Sequence, residues 1–149
     1  MSSFIALNPE FTDEVRASFA RQEFMRYLGA TIERVEPGAV DIAMPYRPEL
    51  VQQNGYVHAG AITSIADSAS GYAAYTLMPA GSSVLSVEFK VNLLAPAEGD
   101  RFLAEGRVIR AGKTLTVTRG DVYAYRGEER KHIATMQATM IRLEKPLTQ

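Results

Sequence analysis

The segment AGAITSIADSASGYAAYTLM, residues 59–78, decides the fold of this chain. Its apolar side chains recur at three- and four-residue spacing, which predicts a helix over residues 60–77 that ends before Pro79. These apolar positions are Ile62, Ile65, Ala66, Ala69, Ala73 and Leu77. Thirteen of the twenty residues are Ala, Gly, Ser or Thr, and Asp67 is the one charged residue. Because small side chains let other backbone segments approach closely, we expect neighbours on most sides of this helix.

On either side of this helix, polar and apolar residues alternate with a period of two, which is typical of strands. Two short strands are predicted before the helix, at residues 31–35 and 40–46, joined by the turn Glu36-Pro37-Gly38. Four long strands are predicted after it, at residues 83–94, 101–110, 114–125 and 132–143. A bulge is expected at Gly120 in the third of these. Consecutive long strands joined by turns predict an antiparallel meander with one covered face.

An N-terminal helix is predicted over residues 9–28, because Pro9 and three acidic residues suit a first turn and Gly29 suits the end. The complete order is helix, two strands, long helix and four strands, with no internal repeat or linker. This order predicts a single domain over residues 1–149, of the α+β class, in which an antiparallel sheet of five to six strands wraps around one long central helix. Because one sheet covers only one side of that helix, we expect a second copy of the chain to cover the other side.

The composition excludes several classes of function. A net charge of −1 and a pI near 6.1 predict neither a nucleic-acid partner nor binding to an anionic membrane surface. The chain has no cysteine, which excludes disulfides and Cys nucleophiles, and its two histidines are too few for a His-rich metal site. No segment is apolar enough to span a bilayer, and the N-terminus does not resemble a secretory signal. We therefore expect a cytoplasmic protein with no metal and no organic cofactor.

Asp67 is unusual because it is the one charged residue of the predicted long helix. Burying an aspartate on an otherwise uncharged helix costs free energy unless the carboxylate is hydrogen-bonded or hydrated. Desolvation would raise its pKa, which suits a general base or an activated nucleophile. The alternative is structural, with Asp67 capping a neighbouring segment or holding an arginine across a subunit contact. Composition alone leaves both interpretations open.

The residues just before the helix favour a chemical role. Gly55, His58, Ala59 and Gly60 bring free backbone N–H groups to the positive end of the helix dipole. Such donors stabilise the oxyanion that develops on a thioester carbonyl under attack. Asp67 lies about two turns further on, roughly 10 Å along the axis, so an extended substrate could span the gap. His58 taken alone is more typical of a structural loop residue than of a base.

The segment QQNGYVHAG at residues 52–60, followed by Asp67, resembles the motif of the PaaI-type acyl-CoA thioesterases, which have the hotdog fold. In that family an Asn or Gln precedes a His by six residues, a Gly precedes it by three, two glycines follow it, and an Asp or Glu lies nine residues after it. The matching positions here are Gln52, Gly55, His58, Ala59-Gly60 and Asp67. The later segment SVEFKVNLLAPA, residues 86–97, resembles the family's next strand, and the resemblance extends over residues 27–143. Ala59 departs from the family glycine; it keeps the backbone N–H, but its methyl group narrows the approach.

The resemblance implies thioester hydrolysis without a cofactor. It implies that Asp67 activates water or attacks the thioester carbonyl, that the Ala59 N–H stabilises the oxyanion, and that Gln52 orients the water or the carbonyl. His58 would orient the loop, and Ser86 would position the nucleophilic water. The remaining residues expected to contact substrate are Asn54, Gly55, Gly60 and Gly71.

The resemblance also implies a homodimer, often paired into a tetramer, with the site shared between two subunits. Asp67 of one subunit would face Gln52 and His58 of the other. Three alternatives remain open: a hotdog hydratase or dehydratase, an acyl-CoA binding protein without catalysis, and a structural hotdog protein. The acyl group also stays open between aromatic and medium-chain types.

Overall fold

A computed structural model describes residues 3–147 as three α-helices, a short 3-10 turn and six strands. The helices are α1 (Phe11–Ala20), α2 (Glu23–Leu28) and α3 (Ala59–Tyr75). The strands are β1 (Thr31–Glu36), β2 (Ala39–Pro45), β3 (Ser83–Leu93), β4 (Arg101–Ala111), β5 (Leu115–Arg126) and β6 (Glu129–Leu143). One antiparallel sheet of all six strands packs against the long helix α3, so the predicted α+β architecture is confirmed.

The central helix lies directly on two glycines of the sheet. Gly106 of β4 and Gly120 of β5 are paired neighbours, and α3 crosses over them. A Cβ atom at Gly106 would lie 2.2 Å from the Ala69 carbonyl oxygen, and one at Gly120 would lie 2.7 Å from Ser70 Oγ. The prediction of a bulge at Gly120 is therefore wrong, since its pairing is regular and the irregularity of β5 against β6 lies between Val122 and Tyr123. Glycine is required at position 120 because α3 lies too close to the strand for a side chain.

Side chains on the concave face of the sheet and on α3 form the core. The largest fully buried side chains are Phe102, Met25, Leu28, Ile42, Met44, Ile62, Ile65, Ile133, Met136 and Met140. Full burial of a side chain of this size contributes about 1.5–3 kcal/mol relative to leaving it exposed. The face of α3 with small side chains lies against the two glycines, and the Ile62 and Ile65 side chains are fully buried in the core.

The strand order is β1-β2-β4-β5-β6-β3, which places β3 at an edge of the sheet. The predicted meander holds for β4, β5 and β6, but β3 pairs with β6 and not with β4, so the chain crosses the sheet between β3 and β4. Among the strands of residues 3–147, only β6 pairs with β3, so the other side of β3 has no strand of this sheet beside it. Most of this strand is exposed, including its large apolar residues Leu85, Val87, Phe89 and Leu93.

The predicted N-terminal helix is two helices. Gln22 has extended backbone angles, φ −79° and ψ 101°, and separates α1 from α2. Gly29 then ends α2 in the left-handed conformation, φ 69°, as its position predicts. The break at Gln22 turns its side chain toward α3, where it donates a hydrogen bond to the Tyr72 hydroxyl.

The convex face of the sheet is covered by ion pairs. Asp41, Glu105 and Asp121 lie side by side on β2, β4 and β5 and are bridged by arginines of the same strands or of β6. The pairs include Arg130–Glu105 at 2.9 Å and Arg119–Asp121 at 2.7 Å. The polar side of the sheet is thus distinct from the side that holds α3. No helix within residues 3–147 is long and apolar enough to cross a membrane.

Candidate active site

The N-terminus of α3 presents one free backbone donor. His58 is the N-cap residue, and its Nδ1 accepts a hydrogen bond of 2.8 Å from the Gly60 N–H. A Cβ atom at Gly60 would lie 2.9 Å from that Nδ1, so glycine leaves room for the imidazole ring. The Ala59 N–H forms no hydrogen bond with any residue between 3 and 147. His58 therefore orients the end of the helix and leaves Ala59 N–H as a donor in the helix dipole.

The loop before the helix is a tight turn around Gln52. Its side-chain Oε1 accepts a hydrogen bond from the Asn54 N–H, and its carbonyl oxygen accepts one of 3.0 Å from the Gly55 N–H. Gly55 has φ 89°, a conformation that favours glycine. The carbonyl side of the Gln52 amide is occupied, so its NH₂ group remains as a donor beside the helix end. Asn54 and Gly55 are exposed, and Asn54 takes part here through its backbone.

Asp67 is half-buried rather than buried, which corrects the expectation from the sequence. Its flank of α3 faces β3, which is an edge strand of the sheet formed by residues 3–147. The Ser86 hydroxyl on β3 donates a hydrogen bond of 2.6 Å to Asp67 Oδ1 and lies 3.3 Å from Met140 Sδ. The irregular pairing of β3 between Ser86 and Glu88 occurs at this point. The structure thus brings two of the residues singled out in the sequence into direct contact.

Six of the sequence-predicted residues line two separate clefts in the single chain, whereas Asn54, Gly55 and Gly60 line neither. A cleft of about 600 Å³ is lined by Gln52, His58 and Ala59. A cleft of about 400 Å³ is lined by Asp67, Gly71 and Ser86. The two clefts have no lining residue in common. One chain therefore holds the helix-end donors and the carboxylate apart.

Two residues of the Asp67 cleft, Ser18 and Gln22, were not indicated by any pattern in the sequence. Ser18 and Gln22, from the N-terminal helices, line the cleft together with Tyr72. The Tyr72 hydroxyl receives a hydrogen bond of 2.8 Å from Gln22 Nε2 and lies 3.1 Å from Ser18 Oγ. These partners are separated by 50 or more positions along the chain. Only the folded structure brings them together.

Tyr75 lies next to this cluster, and its surroundings change the pKa of its phenol. Burial and then the neighbouring Glu14 carboxylate raise the pKa of Tyr75 above its ordinary value. The phenol therefore stays protonated near neutral pH and donates a hydrogen bond of 3.3 Å to Glu14. Tyr75 borders a neighbouring cleft with Glu14 and Arg21 and does not line the Asp67 cleft. Within residues 3–147, no group of three or more His, Asp or Glu side chains is arranged to hold a metal ion.

Comparisons with known proteins agree with this architecture. The chain matches the model of the thioesterase superfamily over residues 54–131. It is 32% identical over 114 residues to an esterase-like protein of Saccharolobus solfataricus, covering 76% of this chain and 74% of that protein. It is 28% identical to the medium/long-chain acyl-CoA thioesterase YigI of Escherichia coli, covering 78% of this chain and 83% of YigI.

Solved structures show the same fold. A thioesterase family protein from Silicibacter pomeroyi superposes with a TM-score of 0.88 at 50% identity, covering 89% of this chain and 98% of that chain. The PaaI protein of the Escherichia coli phenylacetic acid degradation operon superposes with a TM-score of 0.84 at 20% identity, covering 96% and 100% of the two chains, which establishes the hotdog fold alone. The match to the family model and the similarity to these relatives show that the chain belongs to the thioesterase superfamily and is a thioester hydrolase.

Proposed function

We propose that this protein is a cytoplasmic homodimeric acyl-CoA thioesterase that hydrolyses an aromatic or medium-chain acyl-CoA to the free acid and CoA. The observation that carries the proposal is the 2.6 Å hydrogen bond from Ser86 to Asp67, the one carboxylate of an otherwise uncharged helix. A structural aspartate would be expected to cap a backbone segment or pair with an arginine. Asp67 has neither kind of partner among residues 3–147, and it opens onto a cleft.

The proposed chemistry uses both oxygens of the Asp67 carboxylate. Oδ1 is held by Ser86, which leaves Oδ2 free to take a proton from water or to attack the thioester carbon. Either route places negative charge on the carbonyl oxygen, where the Ala59 N–H stabilises it and Gln52 adds a second donor. The C–S bond then breaks, and CoA leaves as a thiolate that takes up a proton. In the nucleophilic route, water hydrolyses the resulting anhydride in a second step.

The exposed edge of β3 supports a dimer. This strand is eleven residues long, and four of its large apolar side chains are between 45% and 57% exposed. A long edge strand with exposed apolar side chains invites pairing with another chain, although charged residues weaken that tendency. The strand β3 carries two such residues, Glu88 and Lys90, among its exposed apolar ones. The opposite edge strand, β1, is six residues long and carries Glu33, Arg34 and Glu36. We therefore assign the dimer contact to β3.

Pairing through β3 joins the two clefts. Two copies related by a two-fold axis pair their β3 strands antiparallel, so the start of one strand lies beside the end of the other. Ser86 lies near the start of β3 and contacts Asp67 of α3, whereas Leu93 at the end of β3 lines the cleft of His58 and Ala59. The carboxylate of one copy thus faces the helix-end donor of the other. Each dimer then has two complete sites.

Hydrolysis of a panel of acyl-CoA thioesters, followed by detection of free thiol, tests the proposal. Benzoyl-CoA and octanoyl-CoA represent the two acyl classes, and the second is favoured by the similarity to YigI, a medium/long-chain acyl-CoA thioesterase. Asp67→Asn keeps the size of the side chain and removes its basicity, so kcat is expected to fall by at least about 10²-fold. Asp13→Asn, at an exposed position of α1, is the matched control and is expected to keep full activity.

Two outcomes would contradict the proposal. If Asp67→Asn remained fully active, Asp67 would have no chemical role. If the wild-type protein bound acyl-CoA tightly but released no thiol, it would be a binding protein without catalysis. Circular dichroism and thermal melting of both variants verify that the fold is intact.

A further inference from the structure

The two ring nitrogens of His58 have different surroundings. Nδ1 accepts a hydrogen bond of 2.8 Å from the Gly60 N–H at the start of α3. Within residues 3–147, no hydrogen bond or ion pair is made to Nε2. A neutral imidazole has one nitrogen that carries hydrogen and one that accepts a hydrogen bond. Because Nδ1 is the acceptor here, the hydrogen of the neutral ring is on Nε2.

We propose that His58 works only as this neutral tautomer, as a positioning residue that holds the end of α3, and that protonation of its ring inactivates the site. This inference rests on the proposed function and assigns His58 its part in it. With Nδ1 bonded to Gly60 and hydrogen on Nε2, the neutral ring has no free lone pair, so it cannot act as a general base. Asp67 is then the group that accepts the proton.

The backbone of His58 is held independently of its ring. Its N–H donates a hydrogen bond of 2.8 Å to the Leu50 carbonyl oxygen, and its own carbonyl oxygen accepts one of 3.0 Å from the Ala61 N–H. The ring adds only the bond to Gly60, where a Cβ atom would lie 2.9 Å from Nδ1. A substitution at position 58 therefore changes the cap of the helix and leaves the path of the loop in place.

A protonated His58 ring is incompatible with this cap. An imidazolium ion carries hydrogen on both nitrogens, so Nδ1 would present a donor to the Gly60 N–H, which is also a donor. Its positive charge would also lie at the positive end of the helix dipole. The Gly60 N–H would then lose its acceptor, and the first turn of α3 would no longer be held. Since the Ala59 N–H belongs to that turn, the proposed oxyanion donor would be displaced and kcat would fall.

Few charged groups surround His58. The cleft that it lines has one other titratable side chain, Tyr56 of the same loop, and its remaining lining side chains, from α3, β3, β6 and the loop after β3, are apolar or amides. Glu49 of the preceding 3-10 turn is exposed and does not line this cleft. In the proposed dimer the carboxylate that faces the ring is Asp67 of the second copy. That carboxylate attracts an imidazolium ion, whereas the Gly60 N–H and the helix dipole repel it.

The pH profile of kcat tests the inference, and it is specific because the chain has two histidines. For octanoyl-CoA, kcat of the wild-type protein is expected to fall by at least about 10-fold between pH 8 and pH 5, the range in which histidine changes charge. His58→Asn supplies an oxygen that caps a helix but does not titrate, so this fall is expected to disappear, with kcat at pH 8 within about fivefold of wild type. His132→Asn is the matched control; His132 contacts Asp121 at 3.0 Å on the convex face, and its variant is expected to keep the wild-type profile.

His58→Ala separates the cap from general-base catalysis. It removes the acceptor for the Gly60 N–H at every pH, so kcat at pH 8 is expected to fall by about 10-fold or more, and His58→Asn is expected to restore most of that loss. If His58 were a general base, His58→Asn would be as inactive as His58→Ala, and the inference would be wrong. A wild-type pH profile in His58→Asn would overturn it as well. Thermal melting of each variant verifies that the fold is intact.

NMR of the ring nitrogens distinguishes a failure of this inference from a failure of the proposed function, because it needs no substrate. Two-dimensional ¹H–¹⁵N spectra at pH 8 are expected to show hydrogen on Nε2 of His58 and none on Nδ1, with His132→Asn assigning the signals. Hydrogen on Nδ1 would overturn the inference whatever the activity. The expected tautomer in a protein that hydrolyses no acyl-CoA would contradict only the proposed function.

Discussion

At the scale of single residues, the backbone of Ala59 matters more than its side chain. His58 uses the Gly60 N–H for its cap, so the first helical N–H that faces the cleft is that of Ala59. A methyl group at this position leaves the donor intact, which explains how the chain can depart from the glycine that the family places there. The proposed oxyanion donor is therefore a property of helix geometry and not of residue type.

Ala59→Pro is predicted to remove this donor without breaking the helix. Proline is tolerated at the first helical position, and the preceding His58 already has φ −59° and ψ 136°, which a following proline requires. Loss of one oxyanion donor is expected to lower kcat by about 10²- to 10³-fold. Ala59→Gly keeps the N–H and serves as the control, with activity preserved or raised. Stopped-flow thiol release measures both, and near-normal activity of Ala59→Pro would move the oxyanion donor elsewhere.

Most residues of the candidate site could be proposed from the sequence because their spacing along one loop and one helix is local. Gln52, His58, Ala59 and Asp67 lie within sixteen consecutive positions. Ser86 was expected through resemblance, and the structure places it on Asp67. Ser18 and Gln22 were missed, because their proximity to Asp67 depends on how the N-terminal helices pack against Tyr72. No local pattern encodes that packing.

At the scale of elements, close contact between α3 and the sheet determines where glycine is required. Gly106 and Gly120 form one cross-strand pair beneath the helix. The Ala69 backbone occupies the space of a side chain at Gly106, and the Ser70 hydroxyl and the Ala66 carbonyl group occupy that space at Gly120. Gly71 faces the Asp67 cleft, and a Cβ atom there would meet only Met140 Sδ, at 3.9 Å. The same residue type therefore has a packing role in the strands and a different role on the helix.

Gly106→Ala is predicted to lower the free energy of unfolding by about 1–3 kcal/mol, because the new methyl group must push the helix away from β4. Gly71→Ala is predicted to leave stability unchanged or to raise it by up to about 1 kcal/mol, since alanine favours a helix more than glycine. Both substitutions restrict the unfolded chain similarly, so their difference isolates the steric contact. Urea denaturation measures both. Equal stabilities would mean that α3 does not rest on the glycine pair.

At the scale of the whole molecule, one chain keeps the two parts of the proposed site apart. The carboxylate cleft and the helix-end cleft lie apart in one chain, and an exposed apolar edge strand separates them. Antiparallel pairing of two β3 strands would cover the exposed edge and would bring the carboxylate cleft of one copy beside the helix-end cleft of the other. Activity would then depend on association.

Mixing two inactive variants tests this arrangement. In a heterodimer of Asp67→Asn and Ala59→Pro subunits, one site carries both substitutions and the other carries neither. Random exchange of subunits is therefore predicted to restore about a quarter of wild-type activity per subunit. If both groups acted within a single chain, the mixture would stay inactive.

A charge on the edge strand provides an independent test of the same arrangement. Val87→Lys is expected to produce monomers in analytical ultracentrifugation and to abolish activity, whereas an active Val87→Lys monomer would contradict a shared site.

The sequence by itself determined the element types, the α+β class, the uncharged central helix and the local donor set at its N-terminus. These features follow from periodicity, turn residues and caps, which depend on neighbours a few positions away. Only the tertiary structure decided the place of β3 beside β6, the exposure of Asp67, the Ser86 contact and the position of Ser18 and Gln22 in the Asp67 cleft. These features arise from packing between segments distant in the chain, which no preference of a few neighbouring residues encodes.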